Sequence, residues 1–284
     1  MPHFPRSPVH LVTLVAAAAS TSVAFAIPLA KRLTEVNGYY NPTDNGGRWL
    51  TFTGTAGLGE PINVVISANS DGLLMTDDGF FDYAESLQYS SECLGLHGGG
   101  AQAANLGDGH GVLNQTTLLR FNYGDPLFGT CYETLNGGGH FRVWRQNGTE
   151  ANSGAWFLAA SVEHDLALQH NIVTDGYDDG RDAIVQAATV SGGTRSPITN
   201  RTFTTTVHNA SGPGYYDNVS TNEINHNIST DGIVAILTVK VASNGSNSSS
   251  TSSSAIPTLS LSRTDSLRAV GVGLFSLLAL GLLA

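Results

Sequence analysis

The sequence predicts an α+β fold, a single domain built on a mixed or antiparallel sheet with about two helices. Three observations carry that expectation. Short apolar or alternating segments recur in groups, separated by glycine-rich turns, as strands do. Two longer stretches instead place their apolar residues at helical spacing. Strand groups with inserted helices describe layered α+β architectures rather than a doubly wound sheet. The chain between the two ends, residues 33–243, is one domain's worth of sequence, and it carries no repeat of 20–50 residues.

Taken in order, Trp49 to Thr53 alternates like a strand, and Gly57 to Pro61 is a turn. Ile62 to Ser67 carries a continuous apolar run and reads as a buried strand. A helix is expected over Gly79–Gln88, capped by Asp77 or Asp78, with Phe80, Phe81, Ala84 and Leu87 on one face. Gly95 to Gly111 is a glycine-rich loop. Thr116–Tyr123, Gly139–Arg145 and Gly154–Ser161 follow as strands. The second helix is expected over Asp179–Val190, where Ala183, Ile184, Ala187 and Ala188 share a face. Strands over Thr202–His208 and Ile233–Val241 complete the domain.

The ends address the chain to the cell surface. Residues 1–26 have the three parts of a secretory signal: Arg6 in a basic leader, an apolar stretch Leu11–Phe25, and Ala24-Phe25-Ala26 for cleavage. Lys31-Arg32 reads either as a dibasic processing site or as a solvated pair. Residues 244–268 form a Ser/Asn-rich stalk and spacer, and residues 269–284 are an uncharged apolar tail. Such a tail spans only ~24 Å at 1.5 Å per residue, short of the ~30 Å hydrocarbon core. Small residues, a spacer and a terminal apolar tail match the signal exchanged for glycosylphosphatidylinositol. Ser253 is the attachment residue of choice; Ser254, Ser252 and Asn247 also suit. The only membrane contact expected is that lipid anchor.

Eight N-x-Ser/Thr sequons begin at Asn114, Asn147, Asn200, Asn209, Asn218, Asn227, Asn244 and Asn247. Four crowd into residues 200–229, so any active cleft is expected among residues 60–195, away from the sugars. The two cysteines, Cys93 and Cys131, are expected to pair in an oxidising compartment. Between residues 27 and 253, ten Lys and Arg face 22 Asp and Glu, a net of about −12. That charge repels phosphate backbones and argues against nucleic-acid binding.

One cluster stands out for chemistry. His140-Phe-Arg142-Val-Trp144 precedes Glu163-His164-Asp165, then His170, Asp175, Asp178, Asp179, Arg181 and Asp182. In a strand, His140, Arg142 and Trp144 share one face. Imidazoles and carboxylates ligate zinc or manganese and serve as general bases. The first reading is a structural ion-pair network in which Arg181 makes a bidentate pair with Asp175 or Asp178. The second is a ligand or anion pocket using Arg142, Trp144, Arg181 and Asp182. The third is a metal-assisted hydrolase using His140, His170 and Asp178, although no HExxH spacing is present. No cofactor is expected beyond a divalent metal in that third case. His97-Gly98-Gly99-Gly100 lacks the downstream G-x-S-x-G that an esterase oxyanion loop needs, so it reads as a turn. Asp108-Gly109-His110-Gly111 has no evident partner in sequence.

The same segments resemble the LssY C-terminal domain, which occurs in bacteria appended to membrane phosphatase-like proteins and in fungi as free secreted forms. Glu60-Pro61-Ile62-Asn63 is similar to that family's early strand, His140-x-Arg142-x-Trp144 to its H-x-R-x-W element, and His170 through Asp182 to its last motif. The likeness spans residues 59–190. It departs from the pattern in one extra residue between Asp175 and Asp178, and in Gly180 where a Glu commonly precedes the Arg. The resemblance implies no assigned activity. Its phosphatase signature, Pro-Ser-Gly-His with paired arginines, is absent here, as are Walker and dinucleotide fingerprints. The expected function is a surface module that binds a wall polysaccharide, lipid or protein; the alternative is the small hydrolase.

Overall fold

A computed structural model describes residues 34–245, except 56 and 97–99. The signal, spacer, tail, Lys31-Arg32, Asn247, Ser253 and most of the HGGG segment lie outside the described residues. Twelve strands and three helices occur in chain order: β1 Glu35–Val36, β2 Tyr39–Tyr40, β3 Val64–Ile66, α1 Asp77–Ser86, β4 Tyr89–Ser91, β5 Ala103–Asn105, β6 Val112–Asn114, β7 Thr117–Phe121, α2 Gly129–Asn136, β8 Gly138–Arg145, β9 Trp156–Glu163, α3 Gly176–Ala188, β10 Thr194–Arg195, β11 Thr202–Ala210 and β12 Val234–Ser243. Eight of these form one mixed sheet in the order β10-β11-β12-β3-β9-β8-β7-β4, and β1-β2 and β5-β6 make small ribbons. Only β12 and β3 pair in parallel within the large sheet. The α+β class is therefore as expected, with three helices instead of two.

Alternation decides what each face buries. Phe141, Val143, Leu158, Ala160 and Leu119 point to one side, where they pack with Phe80, Tyr83, Ala84 and Leu87 of α1 and with Ile184 and Ala188 of α3. Trp144, Phe157, Ala159, Val65 and Ile236 point to the other, under Trp49, Tyr39, Ile62, Tyr177 and Tyr216. Both cores are drawn from residues 39–239. No helix of the described residues is long and apolar enough to cross a membrane.

Local chemistry shifts several boundaries. The cap of α1 is Thr76, whose hydroxyl accepts from the Gly79 amide, and Asp77 and Asp78 follow in the first turn, where the helix dipole favours them. Trp49–Thr53 makes only isolated bridges, Leu50 to Pro61 and Phe52 to Ala103, because Arg48 takes the Leu50 and Thr51 carbonyls. The glycine-rich loop holds β5. Within that loop, buried Asp108 accepts from the Asn147, Gly148 and His110 amides, a staple that the sequence left without a partner.

Asn63 joins the layers. It is fully buried; its amide nitrogen donates to the Ala160 and Tyr177 carbonyls, and its oxygen accepts from the Ala160 amide. The side chain thus extends the ladder just before three-residue β3 begins and ties β9 to the start of α3. At the next turn of α3 a Cβ on Gly180 would meet Ser161 backbone atoms at 2.4–2.7 Å, so the helix lies directly on β9.

Candidate functional site

The pleat that gives β8 its two faces also places His140 and Arg142 beside the second core. Register brings Arg120 of β7 opposite His140, and Ser161 of β9 on its other flank. Glu163, the last residue of β9, falls on the same face two positions on. The 128–136 segment folds back over this end, and Glu133 of α2 drops into it fully buried. A disulfide between Cys93 and Cys131 pins α2 to the turn after β4, as the cysteine count predicted. The bridge closes one wall of a cavity of about 590 Å³ lined by Glu60, Glu92, Arg120, Arg142, Glu163 and His170, among others.

Arg120 is the hub. One of its terminal nitrogens donates to Glu133 at 2.9 Å and to Glu163 at 3.0 Å, while Nε lies 3.6 Å from Glu92. Burial pulls the Arg120 guanidinium down, but Glu133 and Glu163 more than offset it and hold the group above its ordinary range. Burial pushes Glu133 up to about 7 against the pull of Arg120. Glu163 moves up for the same reason. Burial, then Arg142 and Arg120, hold the His140 imidazole well below its ordinary range, and burial with Arg120 lowers His170. Both imidazoles are therefore neutral at neutral pH.

Three buried polar atoms here have no hydrogen-bond partner: Nδ1 of His140, Nδ1 of His170 and Nε of Arg142. The two imidazole nitrogens each sit 3.5 Å from a different oxygen of Glu163. Arg142 donates to Gln115 at 2.8 Å and stands 4.0 Å from Glu60. His170 and its neighbour Gln169 both adopt positive φ, an uncommon conformation for residues other than glycine, which turns the imidazole back toward β9. Native proteins leave few buried polar atoms unpaired, and two of these three belong to side chains that line the cavity, Arg142 and His170. Glu133, His140 and Glu163 also offer ligand atoms within 4.8 Å of one another, a group able to hold a metal ion.

The other expected site residues separate from this cluster. Trp144 shares the face of His140 but lies in the apolar core, with its indole donating to the Leu113 carbonyl. Asp178 accepts from Arg181, Thr230 and the Asp231 amide, so its carboxylate is engaged away from the imidazoles. Arg181 is buried and bidentate to Asp231, at 2.6 and 2.9 Å, and donates to Asp182 at 2.8 Å. The expected fork to Asp175 or Asp178 is corrected: Asp178 has a single 3.3 Å contact, and Asp175 stands at the N-cap with φ 57°. The chain reaches Arg181 from fifty residues downstream, a pairing no local spacing reveals. Glu92, Arg120 and Glu133 were missing from the sequence reading, because only cross-strand register and an unrecognised helix assemble them. The cavity is also nearer the sequons than expected: His226, next to Asn227, lines it.

All seven sequon asparagines among the described residues are exposed. No family model, curated protein or solved structure matches the chain.

Proposed function

We propose that this chain is an exported, N-glycosylated surface protein, held by a C-terminal glycolipid anchor, whose LssY C-terminal-like domain is a binding module for a small polar ligand. One observation carries the binding reading: an open cavity bordered by two guanidinium and three carboxylate groups, two of whose lining side chains, Arg142 and His170, carry a buried nitrogen left unpaired. A structural network would pair those atoms, as leaving them unpaired costs about 1–3 kcal/mol each. The exposed sequons and the disulfide support the export route.

Melting of the purified domain against a panel of small amines, carboxylates and saccharides tests the site. A binder is expected to raise the melting temperature of the native protein and not that of Arg142→Met. A flat response across the panel contradicts the proposal. The anchor is tested by phosphatidylinositol-specific phospholipase C, which is expected to release the protein from intact cells; a mature C-terminal peptide running to Ala284 excludes it.

A second reading, a metal-assisted hydrolase, rests on the convergence of Glu133, His140 and Glu163. His170 replaces Asp178 as the fourth candidate ligand, since it shares Glu163 with His140. A bound Zn²⁺ or Mn²⁺ would supply an activated water. Elemental analysis of the untagged protein decides: stoichiometric metal, lost in Glu133→Gln, supports this reading, and metal-free protein that takes up none on titration removes it.

A further inference from the structure

Two exposed leucines, Leu96 and Leu166, line the cavity, and further large apolar side chains are exposed on the segments around them. Leu94 and Leu96 follow Cys93, Leu127 and Phe128 precede α2, and Leu166 and Leu168 follow β9; each is more than half exposed. These three segments are neighbours. The disulfide joins the first two, α2 touches the short turn at Leu166–Leu168, and Leu96 and Leu166 themselves line the cavity. Grouped apolar side chains on a surface mark an interaction site, whereas scattered ones do not. No sequon lies in any of the three segments, although Asn227 adjoins His226 of the cavity lining.

Inside the collar the charge is acidic. Glu60, Glu92 and Glu163 outnumber Arg120 and Arg142 on the wall. The unpaired Nδ1 of His140 flanks Glu163 and is itself nearly inaccessible.

Resting on the binding reading above, we propose that the ligand is a single-chain amphiphile with a cationic head, of the long-chain primary amine class. The ammonium sits among Glu60, Glu92 and Glu163, and its hydrocarbon chain leaves across Leu96 and Leu166 onto the collar.

Residues 27–253, which contain both cores, are titrated calorimetrically with dodecylamine, butylamine and dodecanoate below their micellar concentrations. Dodecylamine is expected to bind one to one. Butylamine is expected to bind at least about tenfold more weakly, given the apolar area it lacks, and dodecanoate more weakly still. Leu96→Ser/Leu166→Ser removes apolar side chains from the lining, and should weaken dodecylamine by about tenfold and butylamine by much less. Equal affinity for the two amines overturns the amphiphile and leaves the polar pocket standing. Equal affinity for dodecylamine and dodecanoate overturns the cationic head. Absence of binding by either amine overturns this proposal, and a flat response of the whole polar panel overturns the pocket as well. A concentration-dependent dimer that the double variant abolishes assigns the collar to a second copy of the chain and overturns the proposal too.

Discussion

Arg120 and Arg181 are two buried arginines, each facing three carboxylates, and the difference between their surroundings separates a brace from a site. Arg181 is closed: a two-pronged bond to Asp231, further bonds to Asp182, Asp178 and the Ile233 carbonyl, and no unpaired buried atom beside it. It clips the start of α3 to the turn before β12. Around Arg120 the carboxylates are deeper, one is driven toward its neutral form, and two side chains that line the open cavity, Arg142 and His170, carry unpaired nitrogens. Charge count alone does not distinguish the two; completeness of hydrogen bonding does.

The largest effect expected follows from the closed network. Arg181→Ala removes the shared cation from Asp178, Asp182 and Asp231. Breaking a fully buried pair costs about 3–5 kcal/mol, but Asp182 and Asp231 are more than a third exposed, so roughly 2–4 kcal/mol is expected. Arg181→Lys should recover part of that loss, because lysine restores charge without the planar fork. Arg195→Ala, at an exposed position, should change stability by less than about 0.5 kcal/mol. Denaturant melts of the three variants measure this; equal small shifts at both positions would show that Arg181 braces nothing. Binding of any pocket ligand should be unaffected in Arg181→Lys, which sharpens the contrast.

The contrast also explains how much could be read from sequence. Strands β8, β9 and β12 were legible because alternation and apolar runs are local, and the shared face of His140 and Arg142 follows from period two alone. Helix α2 was not legible: it is eight residues long and opens with Gly129-Thr130-Cys131, poor helix formers that lean on the disulfide and on tertiary contact. Missing α2 meant missing Glu133. Arg120 needed the β7–β8 register, and Asp231 needed the return of β12 past α3; neither leaves a mark at short range. Asn63, by contrast, sat inside a recognisable segment, but its ladder-completing role depends on β3 being three residues long.

The second test is directed at the wall of the open site. Cys93→Ser/Cys131→Ser removes a bridge of 38-residue separation, and bridges of this kind contribute about 2–4 kcal/mol. The bridge holds α2 and the Leu94–Leu96 turn over the cavity and touches nothing near Arg181. The double variant should therefore lose pocket binding at temperatures where it remains folded, by circular dichroism. Retained affinity in the folded variant would show that the wall forms without its staple.

The smallest effect expected is a titration that only the open site can show. Glu133 has a folded value pushed up to about 7, chiefly by burial, from an ordinary value of 4.5. Between those values the folded chain holds a proton that the unfolded chain has released. Stability contributed by the neutral carboxyl is thus complete below about 4.5 and is lost as pH rises through about 7, with a slope bounded by ~1.4 kcal/mol per pH unit. Glu163 is raised too and shares Arg120, so the two titrate as a coupled pair. Glu133→Gln keeps the shape and an acceptor for Arg120 but cannot exchange the proton, so its stability should be flatter across that window. Melts are compared in chelator, so that no metal competes for the carboxylates. A wild-type profile parallel to that of Glu133→Gln would mean that Arg120 holds Glu133 fully ionised, which would make the Arg120 cluster as closed as the Arg181 brace.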